Sequence, residues 1–218
     1  MNLINEISSE LTKRNIFHKI EKNFIRTRKS KIKVPIITND IAYLLGVIRG
    51  DGSLCQSKRK KGGYHYIFRI YSGEEKYLNY LNKLFKDLFL IEGKIIKDKR
   101  KQNAYHLVIK NVIIFFYFVS LGSEIGKKKF GKLPQIVKDK QRYFRHYLAG
   151  LVDTDGSTYN KRIQLKQKSR PLLKNIRVLA NRMGLNCSEP KVNYTNQKPY
   201  YYIRFDNRLP LRLKQSNF

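Results

Sequence analysis

Leu44-Leu45-Gly46-Val47-Ile48-Arg49-Gly50-Asp51-Gly52 and Leu148-Ala149-Gly150-Leu151-Val152-Asp153-Thr154-Asp155-Gly156 are near copies of one another, 104 positions apart (148 − 44). Each is a short apolar helical run with small residues spaced along it, closed by Asp-Gly. The offset implies a duplicated unit. Tyr43, Gly46, Val47 and Gly50 fall along one helical side at i, i+3, i+4 and i+7, and Tyr147, Gly150, Leu151 and Thr154 do the same. A glycine inside a helix costs about 1 kcal/mol relative to alanine. Gly46, Gly50 and Gly150 therefore need a reason, and close approach of another backbone supplies one. The other faces (Leu44, Leu45, Ile48; Leu148, Ala149, Val152) are apolar, and a helix apolar nearly all round is buried.

Two such helices packed side by side bring Asp51 and Asp155 together at their C-terminal ends. The helix dipole is negative there, and the two carboxylates repel each other. Divalent cations bound between them would offset both effects. Mg²⁺ is typically held by one or two carboxylates together with phosphate oxygens and water. Such a pair suits in-line phosphoryl displacement by metal-activated water. Gly52 reads as the residue just past the first helix. Arg49 and Asp153, about 200° around the helix from the acids, read as copy-specific structural or phosphate-facing residues.

Outward from the motifs, hydrophobic periodicity gives the order α-β-β-α-β-β-α for residues 39–121. After the first motif helix come strands at Ser53–Ser57 and Tyr64–Tyr71, a helix over Glu74–Leu90, strands at Lys94–Lys97 and Tyr105–Lys110, and a helix over Asn111–Leu121. A linker follows over 122–134, with lysines at 127–129. The second unit, 135–218, repeats the pattern with a helix over Gln141–Thr154, strands at Ser157–Tyr159 and Arg162–Gln167, a helix over Arg170–Gly184, and strands at Lys191–Tyr194 and Tyr200–Phe205. It is shorter at its end, where Arg208–Lys214 replaces a final helix. Residues 1–38 stand apart, as an amphipathic helix over Ile4–Ile20 followed by a basic stretch, Lys22–Lys33. That stretch is either a solvated flexible arm or an arm that adds phosphate contacts.

The chain has 218 residues and a formal charge of +30, from 46 Lys+Arg against 16 Asp+Glu. Self-repulsion of that size destabilises a compact state, and a nucleic acid is the first candidate for the compensating polyanion. A disordered basic tail would concentrate its charge in apolar-poor blocks, whereas Lys and Arg here are interleaved with Ile, Leu, Tyr and Phe. Cys55 and Cys187 form no CxxC pair and the four histidines are scattered, which argues against a zinc site. The most apolar run, Val112–Val119, is too short for a membrane span. There is no signal-peptide core. The expected location is intracellular, in a prokaryotic cytoplasm or nucleoid or in an organelle.

Strand alternation places Arg162, Gln164, Lys166 and Lys168 on one face, opposite Ile163 and Leu165. His65, Arg69 and Tyr71 oppose Tyr66, Phe68 and Ile70, while Tyr202 and Arg204 oppose Tyr201, Ile203 and Phe205. Helices would cover the apolar faces. The polar faces are either solvated or carry residues that read base edges, with surrounding lysines on phosphates.

The two motifs resemble those of the LAGLIDADG homing endonucleases in their single-chain, two-motif form. Leu148–Gly156 departs from the nine-letter pattern only conservatively. Leu44–Gly52 departs more, with Arg49 where the family has its first acid, but it keeps the closing Asp-Gly. The resemblance covers about residues 39–205. It implies an α+β fold of two pseudo-symmetric αββαββα units with the motif helices at their interface and antiparallel sheets forming a saddle over DNA. It further implies a monomer that hydrolyses both strands of a long double-stranded target, leaving short 3′ overhangs, with no membrane partner. By match, Asp51 and Asp155 would bind Mg²⁺ at the scissile phosphates, two or three cations in all, with Mn²⁺ or Ca²⁺ able to substitute in binding. Gly50 and Thr154 would complete the metal surroundings.

Family members place basic or amide residues at the end of the second strand of each copy. Gln167-Lys168 fits that place in copy two, where copy one has Ser72-Gly73, so the two halves look unequal. Lys132 is a candidate helper. The short chain without a flanking splicing domain is expected to be intron-encoded or free-standing. Two other readings remain: an RNA maturase that assists splicing of an intron, and a non-cleaving DNA-binding protein, against which retention of both acids argues. Glu92-Gly-Lys94 lacks the preceding acid of a restriction-type site, and the histidines form no compact metal pattern.

Overall fold

A computed structural model describes residues 2–60, 62–99, 103–128, 131–159 and 162–206. Two compact units account for the chain. One comprises residues 1–38 with 52–126, the other 39–51 with 127–218. A division falls before Asn39, as expected, and a further one falls after Asp51. The first motif helix groups with the second motif helix and not with the strands that follow it.

The first unit opens with α1 (Leu3–Thr12), which buries Leu3, Ile7 and Leu11. The expected helix to Ile20 stops there. Residues 18–33 are no flexible arm: they form an antiparallel meander of β1 (His18–Glu21), β2 (Phe24–Thr27) and β3 (Lys31–Lys33). Alternation explains it, since Ile25 and Ile32 point inward while Lys19, Arg26 and Lys31 point outward. A four-stranded antiparallel sheet follows, built from β4 (Gly52–Lys58), β5 (Tyr64–Ser72), β6 (Lys94–Lys97) and β7 (Tyr105–Ile109) in the order β4-β5-β7-β6. Its inner face packs on α3 (Glu75–Phe89) and α4 (Val112–Ser120). The core between them is aromatic, with Phe68, Phe85 and Phe118 in mutual contact at centroid separations of 5.1, 5.4 and 6.0 Å. Asn111 caps α4 by accepting from the amides of Ile113 and Ile114.

The second unit contains α2 (Asn39–Gly50), the short α5 (Gln135–Asp139), α6 (Gln141–Asp155), β8 (Gly156–Tyr159), β9 (Arg162–Gln167), α7 (Arg170–Arg182), β10 (Lys191–Thr195) and β11 (Lys198–Phe205). Its sheet order is β10-β11-β9-β8. In each four-stranded sheet two hairpins pair through their second strands, β5 with β7 and β9 with β11. The register makes the copies comparable residue by residue: Gly52 pairs with Ile70 and Gly156 with Leu165. Ser72-Gly73 thus occupies the place of Gln167-Lys168. The expected end Arg208–Lys214 lies outside the described residues.

The packing of α2 on α6 is backbone against backbone. A methyl group on Gly46 would collide with the carbonyl oxygen of Tyr147 and lie 2.8 Å from the amide nitrogen of Leu151. One on Gly150 would collide with the carbonyl of Tyr43 and lie 2.9 Å from the amide of Val47. The two contacts are reciprocal in the motif positions. The glycines after the motif acids do not stop their helices in the left-handed region. Gly52 does not take a positive φ, and Gly156 has φ −85° and ψ 154°, which is extended backbone. A side chain at Gly156 would strike Val152 of the preceding turn, so this glycine lets a strand leave directly over the helix end.

Gly46→Ala and Gly150→Ala test the crossing with a clear sign. Helix propensity alone predicts a gain of about 1 kcal/mol, whereas overpacking predicts a loss of about 1–3 kcal/mol. The expected outcome in urea denaturation is a lower midpoint for each variant. A raised midpoint would mean that the helices do not touch at these residues.

Candidate functional site

The crossing carries the ends of α2 and α6 into one polar cluster. Both motif acids are half-buried. Asp155 is pushed up from the usual 3.8 to about 6, first by burial and then by the charge of Asp51, against the opposing pull of Lys128, the Gln167 hydrogen bond and Arg49. Burial and the neighbouring acid together therefore outweigh the three opposing groups. Gln167 donates its side-chain N–H to Asp155 Oδ2. It can do so because it has the same strand parity as Ile163 and Leu165, on the side of the sheet that faces α6.

Two contacts here were not expected from the sequence. Lys128 Nζ donates to the carbonyl oxygens of Arg49, at 2.7 Å, and of Gly50. It places a full positive charge on the negative end of the α2 dipole. The lysine run 127–129 reads in sequence as part of a linker. The signal that places it is Gly126, whose amide is held 2.8 Å from the carbonyl of Leu54 and whose φ of 76° turns the chain. The second contact is Tyr43 Oη donating to Asp153 Oδ2 at 2.7 Å in a buried setting. Asp153 thus serves the helix pair itself, whereas Arg49, its counterpart in copy one, lowers the proton affinity of Asp155.

The residue types suit a hydrated divalent cation. Among the described residues no cluster of three or more His, Cys, Asp and Glu is present, so a closed all-protein cage is not built here. Two neighbouring carboxylates, one with its proton affinity raised by burial and by the other, would suit instead an open site in which phosphate and water complete the shell. Gly50 and Thr154 fill the expected positions differently from each other. The Gly50 carbonyl accepts from Lys128 but retains a second lone pair. The Thr154 hydroxyl is directed back into its own helix, 3.1 Å from the carbonyl of Gly150 and 3.0 Å from that of Leu151. It packs where a side chain on Gly50 would otherwise lie.

Lys168 and Lys132 are both exposed. On the open face of the second sheet Arg162 and Lys166 are exposed, with Lys166 over the Tyr200 ring at 6.0 Å. Arg162 also lies 3.6 Å from Asp206. Arg204 stacks on Tyr202 at 5.1 Å and donates from Nε to Gln164 Oε1 at 3.0 Å. Gln164, expected as an exposed reader, is 7% exposed because Arg204 is its register partner and covers it. In the first unit Tyr71 is exposed and packs beside His106 at 5.7 Å, while Arg69 is half-buried.

Residues 143–213 match the family model described as a LAGLIDADG-like domain. The crystal structure of I-DmoI with DNA and manganese superposes with a TM-score of 0.59 at 22% identity, covering 75% of this chain and 87% of that one. The I-DmoI structure with DNA and calcium gives a TM-score of 0.58 at 22% identity, covering 75% and 81%. I-DmoI is a homing endonuclease. Among curated proteins, a DNA polymerase of Thermococcus sp. (strain GE8) is 24% identical over 157 residues, 69% of this chain. The chain spans only 8% of that polymerase's length.

The state of Asp155 has a measurable consequence for stability. Its proton is held more tightly in the folded protein than in the unfolded chain, so the associated stability is complete below pH 3.8 and is lost as the pH rises through about 6. The shift corresponds to about 3 kcal/mol at neutral pH. Asp155→Asn should therefore stabilise the metal-free protein at pH 7.5 by about 2–3 kcal/mol, and the gain should vanish near pH 4. Urea melts at the two pH values check this; equal effects at both would refute the burial of a repelled carboxylate.

Proposed function

We propose, for a chain with the fold of the LAGLIDADG homing endonucleases, a site-specific DNA endonuclease that makes a double-strand break by metal-dependent phosphodiester hydrolysis and leaves short 3′ overhangs. The observation that carries this reading is the state of Asp155. A carboxyl held near pKa 6 beside a second carboxylate, at the ends of two helices that cross at glycines, is unfavourable as an anion above that pH unless cations join it. The net charge of +30 supports a polyanionic partner, and complexes of I-DmoI with DNA and manganese or calcium support duplex DNA and a divalent ion.

Asp51 and Asp155 would hold Mg²⁺, with Mn²⁺ or Ca²⁺ able to replace it in binding. When bound, the metal supplies an activated water and neutralises charge on the scissile phosphate. Gln167 orients Asp155 through its side-chain N–H. Lys128 offsets the negative end of α2 and adds positive charge beside a phosphate entering there. Lys168 is the corresponding basic group of copy two, since Gly73 offers none in copy one. Arg69, Tyr71, Arg162, Lys166, Tyr202 and Arg204 would contact DNA from the open sheet faces, and Gln164 would join them once Arg204 turns to a base or phosphate. The protein would act as an intracellular monomer.

The test is linear duplex cleavage with and without chelator, on sites selected from a randomised library by sequencing cut ends. Asp51→Asn and Asp155→Asn should lose cleavage and keep binding. Lys168→Ala and Lys128→Ala should each slow single-turnover cleavage by about 10²-fold or more and affect the two strands unequally. Because protons compete with metal for Asp155, cleavage at limiting Mg²⁺ should fall below about pH 6 and recover when Mg²⁺ is raised. Binding confined to intron RNA, with duplex uncut in Mg²⁺, would replace this reading by the maturase.

A further inference from the structure

We infer that the outer face of the N-terminal meander is a further docking surface for the sugar–phosphate backbone of duplex DNA, separate from the open faces of the two four-stranded sheets. Between His18 and Lys33 the chain has seven Lys and Arg residues and a single acid, Glu21. The register gathers the charges on one side. Lys19 pairs with Arg26 and Arg26 with Lys31, so three cations form one cross-strand row. Glu21, Phe24 and Lys33 form the next row on the same face.

This face is rigid. Behind it Ile25 and Ile32 are buried. The turn between β2 and β3 is tied to the head of α4 by Asn111 Nδ2 donating to Ser30 Oγ at 3.0 Å. The chain after β3 is tied by Tyr117 Oη donating to the carbonyl of Pro35 at 3.2 Å. The strands that carry the cations are therefore held by the fold, and little backbone entropy remains to be lost when they meet a ligand.

Like charges directly opposite one another across strands are destabilising. A solvated surface avoids this by interspersing signs, yet here three cations stand abreast. Glu21 is the only acid among them. It lies 2.6 Å from Lys31 and 3.6 Å from Arg26, and it leaves Lys19 and Lys33 unneutralised. The Lys31 ammonium also lies 5.0 Å from the Phe24 ring, which holds its stem across the sheet. A regular polyanion offsets the repulsion in this arrangement, and the charge of the whole chain favours nucleic acid as its source. The inference deepens the DNA-binding reading above and rests on it. It adds sequence-independent contacts that lengthen the footprint without reading bases.

The test is equilibrium binding to a long random-sequence duplex over a salt series without divalent metal, so that it does not depend on cleavage. The combined variant Lys19→Gln, Arg26→Gln, Lys31→Gln, Lys33→Gln should lower the slope of log K against log salt by about 0.9 for each phosphate no longer neutralised, roughly two to four in all. Glu21→Gln frees two cations, and it should tighten binding and steepen the slope. A misfolded variant would not produce that gain. Unchanged slopes in both variants would overturn the proposal, as would changes seen only with structured RNA or with anionic vesicles. A wild-type protein that cuts its target while these slopes stay fixed would sink this proposal alone. A wild-type protein that never cuts, but shows the predicted slopes, would leave it standing.

Discussion

The structure depends on two helices that meet without side chains between them. At Gly46 and Gly150 each helix presents bare backbone to a carbonyl of the other. Everything chemical about the molecule is measured from that contact. Asp51 and Asp155 each lie five residues beyond their crossing glycine, about 7.5 Å of helix. A larger residue at the crossing would separate the helices, and the acids at their ends would separate with them. The site is thus positioned by what the motifs omit as much as by what they contain.

The electrostatics at the helix ends follow from the same closeness. Burial and the neighbouring carboxylate raise the proton affinity of Asp155, while Lys128, Gln167 and Arg49 draw it down. The balance leaves a group that changes charge near pH 6. The two copies reach this point by different means. Gln167 serves one acid, whereas the equivalent Ser72 has its side chain turned to the amide of Glu74 at 3.1 Å. Asp153 is committed to Tyr43 and Arg49 lends charge to the opposite acid. The duplicated frame differs between its copies around the two acids and is alike where the helices touch.

The repeat made most of the fold legible. Glycines at helical spacing pointed to the crossing, and strand alternation to the inner and outer faces of both sheets. The family likeness stated from the motifs is matched by the LAGLIDADG-like domain and by the fold of I-DmoI. What escaped the sequence has physical reasons. The meander at 18–33 is built from strands of three and four residues, too short for periodicity to separate from a basic coil. Lys128 could not be placed because a linker has no periodicity, and the chain before it is turned at Gly126, whose N–H donates to the Leu54 carbonyl. Gln164 has reader chemistry and the right parity, but its exposure is decided by which way a long neighbour lies, and alternation is blind to that. Gly52 reads as the residue just past the first helix. The glycine of the second motif is in fact extended, and it is needed for room.

The grouping of α2 with the second unit has a consequence for how the chain can be altered. The polypeptide passes from one compact unit to the other at residues 38–39, again at 51–52 and again at 126–127. No single cut divides it into its two units. A fragment starting after the linker would lack the partner that covers Gly150, and one ending at the linker would carry α2 with its glycines bare. Recombination between relatives that treats 39–121 as a cassette would exchange half of the helix pair along with one four-stranded sheet. A change at Gly46, Gly50 or Thr154 must therefore be accommodated by the sequence roughly a hundred residues away.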